Sequence, residues 1–291
     1  MQKKELTIRA AGKINLYLNV LGRYEDGYHE IESIMQSVSL SDRITLRPIN
    51  KGIRLISNNP EIPLDEKNLS WRAANLFFQR TKIKEGLEIE IYKIIPLGAG
   101  LGGGSTDAAA TLVGMDKLFQ TKVSSSDLLK WANELGKDTP FCLKGGTALV
   151  KGKGENLTSL PSIKGGWIIL LYPKILISTS WVYERVKIEL TKKRLNVKLL
   201  NKLIEKEGLR GLVPLLYNRL EEVVMEEFPL IKEIKREMLS MGAKGSLMAG
   251  SGSTIFAIVE NREKAKYISH KLQNRGKVYL VQPTDKSLEE E

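Results

Sequence analysis

One cysteine, Cys142, stands in 291 residues, so no disulfide can close within the chain and no cysteine cluster can hold zinc. Its apolar setting, TPFCL, marks it as a small buried hydrophobe and not a reactive thiol. A chain this poor in cysteine suits a reducing compartment. Long apolar runs are missing as well. The longest is Trp167–Tyr172, far short of the ~20 residues of a membrane-spanning helix, and no apolar stretch for export follows the basic start MQKKELTIRA. These absences predict a soluble, cytoplasmic protein with no membrane partner. Acidic residues are the minority: 45 Lys and Arg face 34 Asp and Glu, a net charge of +11. That excess attracts polyanions, whether nucleic acid or phosphorylated metabolites.

What is present is ordinary globular composition, 42% hydrophobic and 27% charged, which argues against a collagen-like fibre, a coiled coil or a disordered tail. The length exceeds the ~100–200 residues of a typical domain, so two domains are expected, 1–160 and 161–291, divided at PSIKGG (161–166). Ile14, Leu16, Leu18 and Val20 alternate with polar residues, a strand with one buried face on which Lys13 and Asn15 point the same way. A glycine-containing turn, GRYEDGYHE, separates it from a second extended run through Ile44–Leu46. Leu69, Ala73, Leu76 and Phe77 recur at helical spacing behind two candidate starts, Asp65 and Asn68. Leu87, Ile89 and Ile91 mark another strand, which runs into Pro96 and a glycine stretch. After it, Ala108, Leu112, Met115 and Phe119 form a helical stripe, and SSSDLLKWANELG is a second helix with serine at its start and glycine at its end. A Pro-containing turn and the hairpin GGTALVKGKGE follow.

Beyond 166 the order is strand Trp167–Tyr172, helices between 180 and 241, strands on either side of GSGS, helix 262–274 and strand Lys277–Val281. That order predicts an α+β fold whose second half resembles the split β-α-β-β-α-β motif. The terminal SLEEE is expected to fray. No internal repeat or low-complexity segment occurs.

Gly98–Gly103 matches G-x-G-x-x-G, but a dinucleotide fingerprint needs an acidic residue at the end of a second strand ~20 residues on, and here helix follows helix. A P-loop needs lysine directly after the last glycine, where this chain has Ser105. What remains is a strand-to-helix turn carrying Gly98, Gly100, Gly102, Gly103 and Gly104, then Ser105 and Thr106. Such a turn lets backbone N–H groups approach an anion at a helix start, a phosphate cradle. Asp107 reads as a helix-start stabiliser ahead of a group near magnesium.

Three segments together resemble the GHMP kinases. Pro96-Leu-Gly-Ala-Gly-Leu-Gly-Gly-Gly-Ser-Thr-Asp-Ala-Ala is similar to their ATP-binding motif, Ala11-Gly-Lys-Ile-Asn-Leu to their N-terminal motif, and Ala249-Gly-Ser-Gly-Ser-Thr to their C-terminal glycine motif. Asp-Gly-Tyr-His at 26–29 and LGKDTPFCLKGG resemble a subgroup that phosphorylates the 2-hydroxyl of a cytidine diphosphate-linked polyol. The resemblance implies a two-domain GHMP kinase fold, with an N-terminal ATP-binding domain, a ferredoxin-like C-terminal domain with extra helices, and MgATP and substrate in the cleft between them. It implies catalytic roles for Lys13 and Asp138. It puts ATP against Pro96, Gly98, Gly100, Leu101, Gly102, Gly103, Gly104, Ser105 and Thr106, with Asn68, Leu69 and Trp71 near the adenine. It gives Asn15 the polyol, and Tyr28, His29 and Tyr183 the cytosine. Thr139 departs from the family's aliphatic residue after the aspartate, and Thr106-Asp107 from a common Ser-Asn.

Alternative readings are a sibling GHMP kinase of different substrate and a dinucleotide-dependent oxidoreductase. A nucleic-acid binder is the rival suggested by the basic stretch 184–210. There Leu195, Leu199, Leu200 and Leu203 form a helical stripe, which makes the lysines the solvated face of a packed helix, and no nucleic-acid-binding signature accompanies them. The expected partner is therefore a small molecule, with the chain a monomer or homodimer.

Overall fold

The computed structural model describes residues 5–188 and 195–291. The first half runs β1 (Leu6–Arg23), β2 (His29–Ile49), β3 (Ile53–Ser57), α1 (Leu69–Thr81), β4 (Gly86–Tyr92), α2 (Gly103–Phe119), α3 (Ser125–Leu135), α4 (Thr139–Lys144), β5 (Thr147–Gly152) and β6 (Asn156–Ser159). The second runs β7 (Trp167–Tyr172), α5 (Thr179–Arg185), α6 (Val197–Glu207), β8 (Tyr217–Asn218), α7 (Glu221–Glu227), α8 (Pro229–Ser240), β9 (Gly245–Met248), β10 (Ile255–Val259), α9 (Arg262–Lys271), β11 (Lys277–Val281) and β12 (Leu288–Glu290).

β1 and β2 form a long antiparallel pair from Leu6 opposite Leu46 to Arg23 opposite His29. The turn between them closes where Asp26 accepts from the Tyr28 N–H at 3.2 Å, the local bond that favours aspartate in turns. The first sheet has the order β12-β1-β2-β4-β3, with β5 on the far end of β2, β6 on β5, and β8 parallel to β1. Its helical side is filled by Ile8, Leu46 and Ile89 from the strands against Phe77, Leu112 and Met115 from α1 and α2. Phe77 meets Trp131 of α3 edge-on at 5.8 Å.

The second sheet, β11-β7-β10-β9, is antiparallel throughout, the strand order of a split β-α-β-β-α-β unit. One face, with Ile168, Leu170 and Phe256, packs on Ile14, Leu16 and Ile34 of the first sheet; the other, with Ile169, Leu171 and Ala257, is covered by Ile231 and Ile234 of α8 and Ile268 of α9. Burial on both faces explains why β7 reads as an unbroken apolar run. No helix of the described residues is long and apolar enough to cross a membrane.

Five expectations need correction. β1 is not half-exposed: Lys13, Asn15 and Asn19 are buried as deeply as their apolar neighbours, because the first sheet is covered on both sides. Residues 139–144 form helix α4 and not a turn, with Pro140 in the first helical turn, where its missing N–H costs nothing. The helix at 262 ends at Lys271, and residues 273–275 make a separate 3-10 turn. The acidic tail is not frayed: β12 pairs with β1, with Ile8 opposite Glu290, and the buried Ser287 hydroxyl bonds that of Ser37 at 2.7 Å. In α6 the buried stripe is Leu200 and Ile204, while Leu199 faces solvent. Residues 189–194 of the basic stretch lie outside the described residues.

Candidate active site

The first turn of α2 has backbone donors to spare. Its cap, Gly102, has no side chain to accept from them, whereas Asn68, Ser124 and Asn261 cap α1, α3 and α9 through side-chain oxygens. Thr106 N–H is bonded back to Gly102 O at 2.9 Å, so the amides of Gly103, Gly104 and Ser105 precede any intrahelical acceptor. With the helix dipole behind them they suit an anion. They open on a cavity of about 770 Å³ that also takes in Pro96, Gly98 and Leu69.

Gly100 locks this loop onto the β9–β10 turn. Its φ is +76°, and a side chain there would begin 2.0 Å from the Ala249 carbonyl oxygen. Gly100→Ala must push the two loops apart, and a displacement near 1 Å costs about 10²-fold in rate. We expect kcat/KM to fall by that order with an unchanged circular dichroism spectrum. A variant of near wild-type activity would show that the contact does not set the geometry.

Lys13 lies under the glycine loop, its backbone N–H donating to Leu101 O at 2.9 Å. Its ammonium donates to Asn15 Oδ1 at 2.8 Å and pairs with Asp138 Oδ2 at 3.2 Å. Asn15 Nδ2 in turn donates to Ser33 Oγ at 2.9 Å, and Ser33 donates to Tyr17 O at 2.6 Å. Register shifts in β1, between Ala11 and Lys13 and between Asn15 and Tyr17, bracket the two side chains. Bulges of this kind turn side chains out of the regular alternation. Asp138 sits at the cap position of α4 without capping it, so its carboxylate is left for Lys13. The Lys13 side chain is almost wholly buried and that of Asp138 is about one-third exposed, and both line the cavity.

The other end of the cavity is aromatic. His29 and Tyr183 are in ring contact at 5.1 Å, and Tyr28 is half-exposed beside them. Burial, and then the charge of Arg23, holds the His29 imidazole below its ordinary value, so it is neutral near pH 7. Burial pushes the Tyr183 hydroxyl up, and Asp138 adds to the shift; it remains a donor.

One buried charge cluster had no counterpart in the sequence reading. Lys93 Nζ lies 2.9 Å from where a side chain on Gly103 would begin and donates to Asp42 Oδ2 at 2.6 Å and to Asp107 Oδ2 at 2.5 Å. Asp42 Oδ1 also accepts from the N–H groups of Ile94 and Ile95 at 2.6 and 2.8 Å. Burial works against the charge on Lys93, but the attraction of Asp107 and Asp42 outweighs it and the amine titrates above its usual value. Asp107 is therefore a buried partner of Lys93 that lies beyond the first turn of α2, and not a first-turn helix stabiliser. The one available signal was Lys93, a charge set inside the apolar run Ile91–Ile95.

Of the remaining candidate residues, Leu101 lines the cavity but Thr106, Asn68 and Trp71 do not. Thr106 is fully buried. Asn68 is occupied as the α1 cap, accepting from Ser70 N–H at 2.8 Å and donating to Pro63 O at 2.9 Å, and Trp71 packs on the core beneath α1. Gly250 and Ser251 of the C-terminal glycine motif do reach the cavity, held there by Asn218, whose Nδ2 donates to Met248 O and Gly250 O, each at 2.8 Å. Cys142 is buried and its thiol is pushed up by that burial, which leaves it inert.

Comparison with known proteins matches residues 68–146 to the GHMP kinases N terminal domain and residues 193–278 to the GHMP kinases C terminal domain. The chain is 41% identical over 271 residues to the 4-diphosphocytidyl-2-C-methyl-D-erythritol kinase of Acetivibrio thermocellus, covering 93% of this chain and 96% of that protein. It is 40% identical over 275 residues to the enzyme of the same name from Lachnoclostridium phytofermentans, covering 94% of each. Among solved structures, a crystal structure of 4-(cytidine 5'-diphospho)-2C-methyl-D-erythritol kinase superposes with a TM-score of 0.81 at 33% identity, covering 95% of this chain and 98% of that one.

Proposed function

The chain belongs to the GHMP kinases and, within them, to the 4-diphosphocytidyl-2-C-methyl-D-erythritol kinases, and from that premise we propose how its cavity performs the reaction. ATP phosphorylates the 2-hydroxyl of 4-diphosphocytidyl-2-C-methyl-D-erythritol, a step of the non-mevalonate isoprenoid pathway, and ADP leaves. The observation that carries this reading is the 3.2 Å contact of Lys13 with Asp138, made beside the glycine cradle in a cavity whose far end is aromatic.

The amides of Gly103, Gly104 and Ser105 grip the triphosphate. The Lys13 ammonium faces the charge that spreads over the transferring phosphoryl group. Asp138 accepts the proton of the 2-hydroxyl as that oxygen bonds to the γ-phosphorus and the bond to ADP breaks. Asn15 holds the Lys13 ammonium in place and offers its amide edge to the polyol. Because His29 and Tyr183 already touch, the cytosine packs against the pair and not between its rings, with Tyr28 closing over it.

Magnesium fits the donor set. The Ser105 hydroxyl on the cavity wall would hold it together with the phosphates and water that usually supply most of its ligands. When bound, it neutralises charge on the phosphates. We place the enzyme in the cytoplasm, where ATP is supplied, with no membrane or nucleic-acid partner.

The test is ADP release from MgATP with the cytidylated methylerythritol, mevalonate and homoserine offered separately. Turnover with the first alone is expected, and comparable turnover with either of the others would contradict the reading. A neutral His29 can both donate to and accept from a base, whereas the protonated ring only donates. KM for the cytidylated substrate should therefore stay flat as pH falls from 8 to the ordinary histidine value of 6.5 and rise only below it. A rise centred at or above 6.5 would remove His29 from cytosine recognition.

A further inference from the structure

We propose that Lys137, flanked by Arg23 and Lys153, takes the diphosphate bridge of the substrate; this rests on the reading of the cavity as a site for a cytidine diphosphate-linked alcohol. Five cationic side chains line the cavity, Lys13, Arg23, Lys93, Lys137 and Lys153, against two carboxylates, Asp138 and Glu184. Lys13 is held by Asp138 and Lys93 by its two aspartates, and Lys153 is paired with Asp26. Among the described residues Lys137 and Arg23 have only neutral acceptors: Lys137 Nζ donates to Asn133 Oδ1 at 3.2 Å, and Arg23 Nε to Gly27 O at 3.3 Å. Asp26, already paired with Lys153, also feels the charge of Lys137, but neither Lys137 nor Arg23 makes an ion pair among the described residues, and both face a cavity that can take an anion from outside the chain.

Position decides which anion. In the substrate the diphosphate joins the base to the polyol, so its counter-charge must lie between the groups that hold those two ends. Lys137 immediately precedes Asp138, and its ammonium stands 5.1 Å from the centroid of the Tyr28 ring, next to His29. Lys153 reaches the same ring at 5.4 Å. The two are brought together by Gly154, whose φ is +123° and whose side chain, if present, would begin 2.4 Å from the Lys137 carbonyl oxygen. The β5–β6 turn therefore lies directly on Lys137 and carries Lys153 to the rim. The triphosphate has its own cradle at the start of α2, and the aromatic end lies beyond Lys13 and Asp138 from it. A second anion site at this place serves the other phosphorylated reactant.

Cytidine and CDP separate the base from its phosphates. Both are measured as competitive inhibitors against the cytidylated substrate at saturating MgATP, with wild type, Lys137→Met and Lys153→Met. A charge-assisted contact is worth about tenfold in affinity. In Lys137→Met the inhibition constant of CDP should rise by about that factor while that of cytidine changes less than about twofold. Lys153→Met should show a smaller rise, because Asp26 already shares its charge, and Lys137→Arg should recover part of the CDP affinity. An unaltered ratio of CDP to cytidine affinity in both methionine variants, with melting temperatures like wild type, would overturn the assignment while leaving the kinase reading intact. A wild type that phosphorylates no cytidylated alcohol would instead remove the reading on which the assignment stands.

Discussion

Asp138→Asn should lower kcat by ~10²-fold or more, the scale of a lost general base, with little change in KM for ATP. The amide keeps the shape of the carboxylate and can still accept from Lys13, but it cannot take the proton of the attacking hydroxyl. Its distance from the glycine cradle along the chain separates the two effects: the amides of Gly103, Gly104 and Ser105 belong to α2, while Asp138 stands at the start of α4. A turnover within about threefold of wild type would exclude Asp138 as the base.

The largest effect on stability is expected at Lys93. Replacing it by methionine preserves the aliphatic stem but leaves Asp42 and Asp107 facing each other in the interior, both nearly inaccessible to water. Removing one member of a buried ion cluster costs about 3–5 kcal/mol, because the remaining charge has neither water nor partner. For a protein of this size that corresponds to a fall in melting temperature on the order of 10 °C. Because Asp42 also accepts from the amides of Ile94 and Ile95, just before Pro96, the loss should be accompanied by weaker ATP binding. Removing the two negative charges as well, by Asp42→Asn and Asp107→Asn on the Lys93→Met background, should recover part of the stability. A single Lys93→Met variant that melts within about 1 °C of wild type would show that the triad is not a stabilising unit.

The elements most legible in the sequence were those fixed by local chemistry. Asn68 and Ser124 announce helices because their side chains satisfy backbone donors within three residues, and the run Trp167–Tyr172 announces a strand buried on both faces. The glycine stretch points to an anion-binding turn because so many unsubstituted positions have no ordinary role in a helix start. Lys13 and Asp138 were a different case. Nothing in periodicity joins residues so far apart, and only their motifs suggested a meeting that the fold brings to 3.2 Å.

Long-range partner choice stayed hidden. The alternation of residues 14–20 gave the direction of Lys13 and Asn15 but not their burial, because a strand does not record what covers its second face. Lys93 finds its carboxylates 51 and 14 residues away, and the tail pairs with β1 across almost the whole chain. Motif position places Asn68 and Trp71 near the adenine; their side chains take part in capping and packing, which the motif does not record.

Phosphorus and carbon NMR of the product decides whether the Lys13–Asp138 pair directs phosphate to carbon 2. With the cytidylated methylerythritol and MgATP, the paired Lys13 and Asp138 predict one new phosphomonoester, on carbon 2, formed in step with ADP and absent with the Asp138→Asn variant. Phosphate on a different hydroxyl, or ADP accumulating without any ester, would contradict it.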